Sequence, residues 1–317
     1  MKIYLTGKLP SIAFELLDRS KLDYDYHKKD TPIPRKKLLK EVYNCDGLVC
    51  ILTEKIDKEV IDSMDRCKII ANYAVGYDNI DVKYAKKKKI IVTNTPDVLT
   101  DSTADLAISL LLVTARSLIE GSEYLRAREF KTWKPELFLG MELKNKTLGI
   151  IGAGRIGTAV GMRAKAFGTK IIYHSNHRNN KLEKKTGAEK VSIQNLLSNS
   201  DIISIHLPLN KNTYHYIDDR KMKLMRRNPI LINTSRGDLI DEKSLIKYLK
   251  KNKFRAVGLD VFKNEPHVNP ELLKFKNVFI LPHLGSATSE ARNGMAELAV
   301  KNVINVLKGK PPLTPVV

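Results

Sequence analysis

The sequence predicts an α/β protein of two doubly wound, parallel-sheet domains, and three observations carry that reading. The first is a strand–turn–helix–strand unit, LGIIGAGRIGTAVGMRAKAFGTKIIYHSNHR, over residues 148–178. The second is an alternation of short strands and helices through the first hundred residues. The third is a series of further apolar strands, at 202–206, 230–234, 256–260 and 278–281, with helical patterns between them. Strands that alternate with helices pair in parallel, because each crossover helix covers a face of the sheet. The chain has 317 residues, long for one compact domain and comfortable for two.

In chain order, strands are expected at Lys2 to Thr6, Gly47 to Leu52, Lys68 to Tyr73 and Ile90 to Thr93. Helical patterns lie near Lys36 to Asn44, Lys58 to Met64 and Val82 to Lys87. The segment Asn72-Tyr73-Ala74-Val75-Gly76-Tyr77-Asp78-Asn79-Ile80-Asp81 follows one strand's carboxyl end. Gly76 there offers backbone amides to an anion, where open α/β sheets take their ligands; the plain alternative is a strand-to-helix loop. A long helix is expected from about Thr103 to Leu118, capped by Asp101-Ser102. An aromatic loop, Thr132 to Phe138, follows and holds the only tryptophan, Trp133.

Residues 148–151 then form a short apolar run, as in a strand buried on both faces. Gly152, Gly154 and Gly157 follow in G-x-G-x-x-G spacing, and Ala159, Val160, Ala164 and Phe167 continue at helical intervals. Such a unit holds a pyrophosphate on its loop amides and helix N-terminus. Gly152 allows the sharp turn, Gly154 lets phosphates approach, and Gly157 lets the helix pack on the strand. A Gly-rich turn of another α/β protein would not need strand, spacing, helix and second strand together. The end of the second strand distinguishes the dinucleotides. An NAD site places a carboxylate there for the ribose hydroxyls, but this chain has Ser175, Asn176, His177 and Arg178, and no carboxylate before Glu183. Donors without a carboxylate favour a 2′-phosphate, hence NADP over NAD. The alternative is that Arg178 and Lys181 begin a solvated basic loop.

Three later segments also follow strand ends: Asn233 to Gly237, Asp260 to Pro266 and Leu281 to Ser286. They supply Arg236, Glu265 and His283 on three loops of one nucleotide-binding sheet. Reduction of a 2-keto acid needs that set: a proton donor for the carbonyl oxygen, a partner for the donor, and a cation for the substrate carboxylate. His283 suits the first task, Glu265 orients it and favours its charged form, and Arg236 grips the carboxylate. Taken singly, each residue has a structural reading.

The formal net charge is +20, from 55 Lys and Arg against 35 Asp and Glu. The lysines are scattered and no nucleic-acid-binding motif accompanies them. A Lys-rich source or a hot habitat accounts for the charge, with a general attraction for anionic ligands. Cys45, Cys50 and Cys67 form no C-x-x-C pair and no metal array, so no metal is expected. No signal peptide opens the chain and no apolar run is long enough for a bilayer, which predicts a cytoplasmic protein without membrane or nucleic-acid partners.

The segments TPDVLTDSTADLA, LGIIGAGRIG, INTSRGDLID, AVGLDVFKNEP and LPHLGSAT resemble the D-isomer-specific 2-hydroxyacid dehydrogenases. KTWKPELFLGMELKNKTLGIIGAGRIG and ANYAVGYDNID agree further with its glyoxylate/hydroxypyruvate reductase branch. The likeness covers nearly the whole chain. It implies NAD(P)H-dependent reduction of a small 2-keto acid, with Arg236, Glu265 and His283 catalytic and with Val75 and Gly76 holding the substrate carboxylate. Gly152 and Gly157 of the loop, with Ala153, Gly154, Arg155 and Ile156, belong to the implied cofactor set. So do Ser175, Asn176 and His177, with Arg178 beside them, and Thr234, Ser235 and Arg236. Thr103, Pro208, Thr213, Asp260, His283 and Gly285 complete it, Asp260 near the nicotinamide carboxamide. The resemblance also implies a Rossmann-like nucleotide domain (100–286) inserted into a flavodoxin-like substrate domain (1–99 and 287–317), and a homodimer built on the nucleotide domains. Similar NADP-preferring reductases carry Arg where this chain has Asn176, which implies a weaker phosphate grip and some use of NAD. The rival readings are a D-lactate or D-3-phosphoglycerate dehydrogenase, and an NAD(P)-sensing regulator like the C-terminal-binding corepressors. The missing carboxylate after Tyr173 and the lack of a C-terminal regulatory domain weigh against the two dehydrogenases; no partner-binding arm speaks for the regulator.

Overall fold

A computed structural model describes residues 1–225 and 228–316. The chain divides into two compact units, residues 1–99 with 286–317, and residues 100–285. The first unit opens with β1 (Lys2–Leu5), α1 (Ser11–Ser20), β2 (Asp23–Tyr26), α2 (Arg35–Tyr43), β3 (Gly47–Cys50), α3 (Lys58–Asp62), β4 (Ile69–Asn72), α4 (Val82–Lys87) and β5 (Ile91–Thr93). The second contains α5 (Thr100–Arg116), α6 (Leu118–Arg126), β6 (Thr147–Ile151), α7 (Arg155–Ala166), β7 (Lys170–His174), α8 (Asn180–Thr186), β8 (Glu189–Lys190) and α9 (Ile193–Asn199). It continues through β9 (Ile202–Ile205), α10 (Asp219–Leu224), β10 (Ile230–Asn233), α11 (Glu242–Leu249), β11 (Ala256–Leu259) and β12 (Val278–Ile280). The last helix, α12 (Ser289–Leu307), returns to the first unit.

Both sheets are parallel throughout. The first has the order β2-β1-β3-β4-β5, the flavodoxin-like arrangement. Its core joins Tyr4, Leu48, Ile70 and Val92 of the sheet to Leu38, Val42, Val60 and Ala85 of α2, α3 and α4. The other face carries α1 and α12, which pack on each other, with α12 also against β3 and β4. A side chain at Gly47 would lie 2.7 Å from Val303 Cγ1, so α12 sits directly on β3.

The second sheet has the order β12-β11-β10-β9-β6-β7-β8. Its central crossover lies between β6 and β9, the switch point of a Rossmann sheet. Successive residues of its strands feed opposite cores: Ile202, Ile230, Ile232 and Ala256 pack with α5 and α7, while Ile203, Ile205, Leu231 and Val257 pack with α9, α10 and α11. The two-fold alternation of strand side chains thus fills both layers.

Three elements differ from expectation. β2 is the polar DYDY segment on a sheet edge, and α1 follows Pro10 without a side-chain cap. The helix expected at 103–118 begins earlier, so Asp101 and Ser102 lie inside it rather than at its cap. Asp101 and Asp105 instead pair with Arg163 of α7, at 2.9 and 2.6 Å. It also ends earlier: Ser117 takes a left-handed conformation, φ 48°, and α6 starts beyond it. Among the described residues no single helix is long and apolar enough to cross a membrane.

Candidate active site

At the carboxyl end of β6 the chain turns through Gly152 with φ 96°, and a Cβ there would lie 2.5 Å from the His206 carbonyl oxygen. Only glycine fits that turn. A Cβ on Gly157 would lie 2.2 Å from the Gly152 carbonyl, so α7 packs straight onto the loop. Gly154 is different. It precedes α7 without a side-chain cap, and a Cβ there would meet nothing within 4 Å. The first-turn amides of α7, at Arg155, Ile156 and Gly157, have no acceptor within the helix and stand at the positive end of its dipole. This helix N-terminus, approachable at Gly154, fits a pyrophosphate. Two buried polar atoms without a partner among the described residues, His206 Nδ1 and Thr234 Oγ1, stand just after strands β9 and β10 of the same sheet. Asn179, which sequence reasoning missed, donates to the Ala153 carbonyl at 2.8 Å and to Thr158 Oγ1 at 2.7 Å, tying the loop to the segment after β7. Its only sequence signal is its position as cap of α8, where it accepts from Leu182 N.

After β7, Ser175 is half-buried and Asn176, His177 and Arg178 are exposed. Arg178 does not stand alone. Its Nε donates to Glu183 at 2.8 Å, and the Tyr173 hydroxyl donates to the same carboxylate at 2.6 Å. These two donors hold Glu183 below the usual carboxylate range, and the carboxylate in turn raises Arg178. The sequence places Glu183 too far along to matter. The structure corrects this, because α8 starts at Asn180 and its first turn brings Glu183 back to the end of β7. The Asn176 carbonyl accepts from Lys190 Nζ at 3.2 Å.

The three catalytic candidates all lie in the second unit. Asn233, wholly buried at the end of β10, shapes the first loop: its Nδ2 donates to the Arg236 carbonyl at 2.7 Å and its Oδ1 accepts from Ser235 N at 3.1 Å. Ser235 Oγ donates to the Ile205 carbonyl, and Arg236 Nη1 to the Ser235 carbonyl, at 2.9 and 2.8 Å. Gly237 follows because a Cβ there would lie 2.1 Å from the Phe262 carbonyl carbon. The Arg236 loop and the loop that carries Glu265 therefore touch backbone to backbone.

His283 and Glu265 meet directly. The imidazole Nδ1 lies 2.7 Å from Glu265 Oε2, while Oε1 accepts from Phe262 N at 3.1 Å. Both side chains are about a quarter exposed, 23% and 25%, so a small ligand can reach the ring. With Nδ1 turned to the carboxylate, Nε2 is the nitrogen left for a reacting group. His283 has φ 56°, a left-handed conformation costly for a residue with a side chain. Asp260 holds it there. Its carbonyl accepts from His283 N at 2.9 Å, and its carboxylate accepts from Leu284 N at 2.6 Å and Gly285 N at 2.8 Å. The Asp260 side chain is fully buried; burial first of all pushes its pKa up to about 6, against the pull of those amides and of His283. In this structure both carboxylate oxygens thus serve the His283 turn, a role that sequence reasoning did not assign to Asp260. Thr103, buried on α5, closes the arrangement by donating to the Gly285 carbonyl at 3.1 Å. Thr213 Oγ1 donates to the Pro208 carbonyl at 2.6 Å and accepts from Asn210 N, which folds the turn after β9.

Val75 and Gly76 belong to the first unit, beyond β4. The Val75 carbonyl accepts from Asn94 Nδ2 and the Gly76 carbonyl from Asn72 Nδ2, at 2.8 and 2.7 Å. Asn79 Nδ2 donates to the Glu54 carbonyl at 3.1 Å and lies beside Asn72. The buried Asn72 and half-buried Asn94 side chains, a role invisible in the sequence, thus hold this loop by its carbonyls.

Residues 108–285 match the family model described as D-isomer specific 2-hydroxyacid dehydrogenase, NAD binding domain. The chain is 50% identical over 315 residues to a glyoxylate reductase of Thermococcus litoralis, covering 98% of this chain and 95% of that one. Among solved structures it is similar to the TT0316 protein of Thermus thermophilus, with TM-score 0.94, 39% identity and complete coverage of both chains. It is also similar to an NADPH-dependent glyoxylate/hydroxypyruvate reductase of Sinorhizobium meliloti in complex with NADP and malonate, with TM-score 0.88, 31% identity, and coverage of 100% and 96%.

Proposed function

The chain belongs to the D-isomer-specific 2-hydroxyacid dehydrogenases and is an NAD(P)-dependent oxidoreductase; on that premise we propose that it reduces glyoxylate or hydroxypyruvate to the 2-hydroxy acid, preferring NADPH and accepting NADH. The observation that carries this reading is the His283–Glu265 hydrogen bond of 2.7 Å, on a reachable ring in the unit that carries the dinucleotide loop. The glyoxylate reductase relative and the NADP-bound reductase structure support the same substrate and cofactor class.

The α7 N-terminus and the Gly152–Gly157 loop hold the pyrophosphate, and Ser175, Asn176 and Arg178 meet the 2′-phosphate. When bound, the nicotinamide supplies the hydride. His283 Nε2 gives its proton to the carbonyl oxygen, in the manner of a general acid. Glu265 fixes the ring through Nδ1 and balances its charge. Arg236 grips the substrate carboxylate as a bidentate cation. Arg178 reaches the phosphate while shared with Glu183, which moderates the NADPH preference. The protein acts as a homodimer through the second unit, whose α6 and following loop expose apolar side chains.

Initial rates with NADPH and NADH against glyoxylate, hydroxypyruvate, pyruvate and phosphohydroxypyruvate test the proposal. The expected result is the highest kcat/KM for one of the first two acids with NADPH. A clear preference for pyruvate or phosphohydroxypyruvate, or binding of cofactor without turnover on any acid, overturns it.

A further inference from the structure

The parallel ladder of β3 and β4 pairs Gly47 with Ile69 and Leu48 with Ile70. It runs past the strand starts, since Lys68 N donates to the Asp46 carbonyl at 2.8 Å. Cys45 and Cys67 each stand one residue before the partners of that bond, close enough for their thiols to interact. Both lie in the core that α2 and α3 cover. Neighbouring strands are about 4.8 Å apart, within the roughly 4.4–6.8 Å between Cα atoms that a disulfide spans. The thiols also sense each other: Cys67, ahead of burial, keeps the Cys45 thiol protonated far above its ordinary range. Both are free thiols in this structure, donating to the Val42 and Ile69 carbonyls at 3.5 and 3.3 Å. Cys50 is an internal control. It stands opposite Asn72, donates to that residue's Oδ1, and is fully buried.

We propose that Cys45 and Cys67 form a reversible intramolecular disulfide that locks the starts of β3 and β4 together when the protein meets a small-molecule disulfide. Cys67, 7% exposed against 0% for Cys45, meets the oxidant first. Its thiolate attacks one sulfur of the incoming disulfide and expels a thiolate, leaving a mixed disulfide. Cys45 then loses its proton and attacks the Cys67 sulfur, and the second small thiolate leaves. Two protein thiols are oxidised and one small disulfide is reduced to two thiols, which take up the two protons. Because the Cys45 thiol resists ionisation, the exchange is slow at neutral pH and faster in alkali. The bond closes a ring from residue 45 to residue 67, spanning β3 and α3, and removes freedom from the unfolded chain.

The test incubates the folded full-length protein with oxidised glutathione, then denatures it in iodoacetamide without reductant for intact-mass and peptide analysis. The expected product carries one alkyl group, on Cys50, lacks two hydrogens, and yields a Cys45–Cys67 linked peptide. Its Tm rises by on the order of 5 °C and falls back after dithiothreitol. Cys67→Ala and Cys45→Ala should each show no linked peptide and no oxidant-dependent change in Tm, whatever their own stability. Three alkylated cysteines after long incubation at pH 9, or a stable glutathione adduct on Cys67 in the unmutated protein, would overturn the proposal.

Discussion

His283 sits in a backbone conformation that side chains other than glycine's seldom take, and three hydrogen bonds to Asp260 surround it. That arrangement separates chemistry from support. Replacing His283 by Ala removes the proton donor and leaves the Asp260 bonds to the backbone, so turnover on glyoxylate should fall by about 10² to 10⁴ while cofactor affinity changes little. Steady-state rates and a cofactor titration check this, and near-normal turnover would refute the assignment. Asp260 makes a prediction about pH. Its carboxyl is raised from 3.8 to about 6 in the folded state, so the native protein binds that proton more tightly than the unfolded chain does. The stability it contributes is complete below pH 4 and is lost as pH rises through 6, by about 3 kcal/mol. Asp260→Asn should abolish this slope even though it costs an acceptor for Leu284 or Gly285. Urea midpoints of both proteins between pH 4 and 7 measure the difference; parallel curves would show that Asp260 is not the group responsible. Arg178 bears on the cofactor. Arg178→Ala should lower kcat/KM for NADPH relative to NADH by roughly 1 to 3 kcal/mol, and Asn176→Asp should turn the ratio toward NADH by repelling the phosphate. Because Glu183 already holds the Arg178 Nε, the low end of that range is expected. A ratio unmoved by either change would make the basic segment ordinary solvated surface.

At the scale of the element, the β6–α7–β7 unit gives the sharpest separation of fold from function. Gly157 and Gly152 are required by packing, with backbone atoms at 2.2 and 2.5 Å from any added Cβ, whereas Gly154 faces open space with φ −77°. Gly154→Val should therefore fold with a penalty of about 1 kcal/mol for a poorer helix cap. It should nevertheless weaken either cofactor about 10- to 100-fold, because its side chain occupies the approach to the α7 amides. Thermal melts and cofactor titrations decide it, and unchanged cofactor affinity would mean the pyrophosphate binds elsewhere. This unit was legible in the sequence because its period changes from strand to helix across glycines of fixed spacing. Helix α4 was equally legible, opened by the side-chain cap Asp81. Strand β2 was not, since Asp23–Tyr26 is a polar edge strand whose pairing with β1 is a tertiary fact. Nor was the break between α5 and α6, which turns on the left-handed Ser117 within a sequence of good helix formers. In the site, Arg236, Glu265 and His283 were readable as residues at strand ends. The supports were not: Asn179 on Ala153, Asp260 on the His283 turn and Glu183 on Arg178 exist only once loops fold back.

At the scale of the whole molecule, charge and exposed apolar surface make opposing demands. In the second unit, α6 and the segment after it leave Leu118, Leu125, Phe130, Trp133 and Leu139 exposed, Trp133 by 74% and Leu139 by 67%. Scattered apolar residues are ordinary on a surface, but this many on one helix and its following loop suit an interaction face. A second copy of the chain is the proposed occupant. The net charge of +20 on each copy resists that association, since like charges repel across the Debye length. Apolar burial does not weaken with added salt, while charge repulsion does. A dimer held by this face should therefore tighten as salt rises from about 0.02 M to about 0.5 M, the reverse of an assembly held by ion pairs. Sedimentation velocity at micromolar protein should give the dimer mass, with the monomer appearing only on dilution at low salt. Leu139→Arg, which adds charge to the most exposed aliphatic position of the loop, should shift the protein to monomer at every salt concentration without lowering its Tm by more than a few degrees. Retention of the dimer in Leu139→Arg would move the interface elsewhere, and a monomeric parent at high salt would show that this apolar face serves another partner.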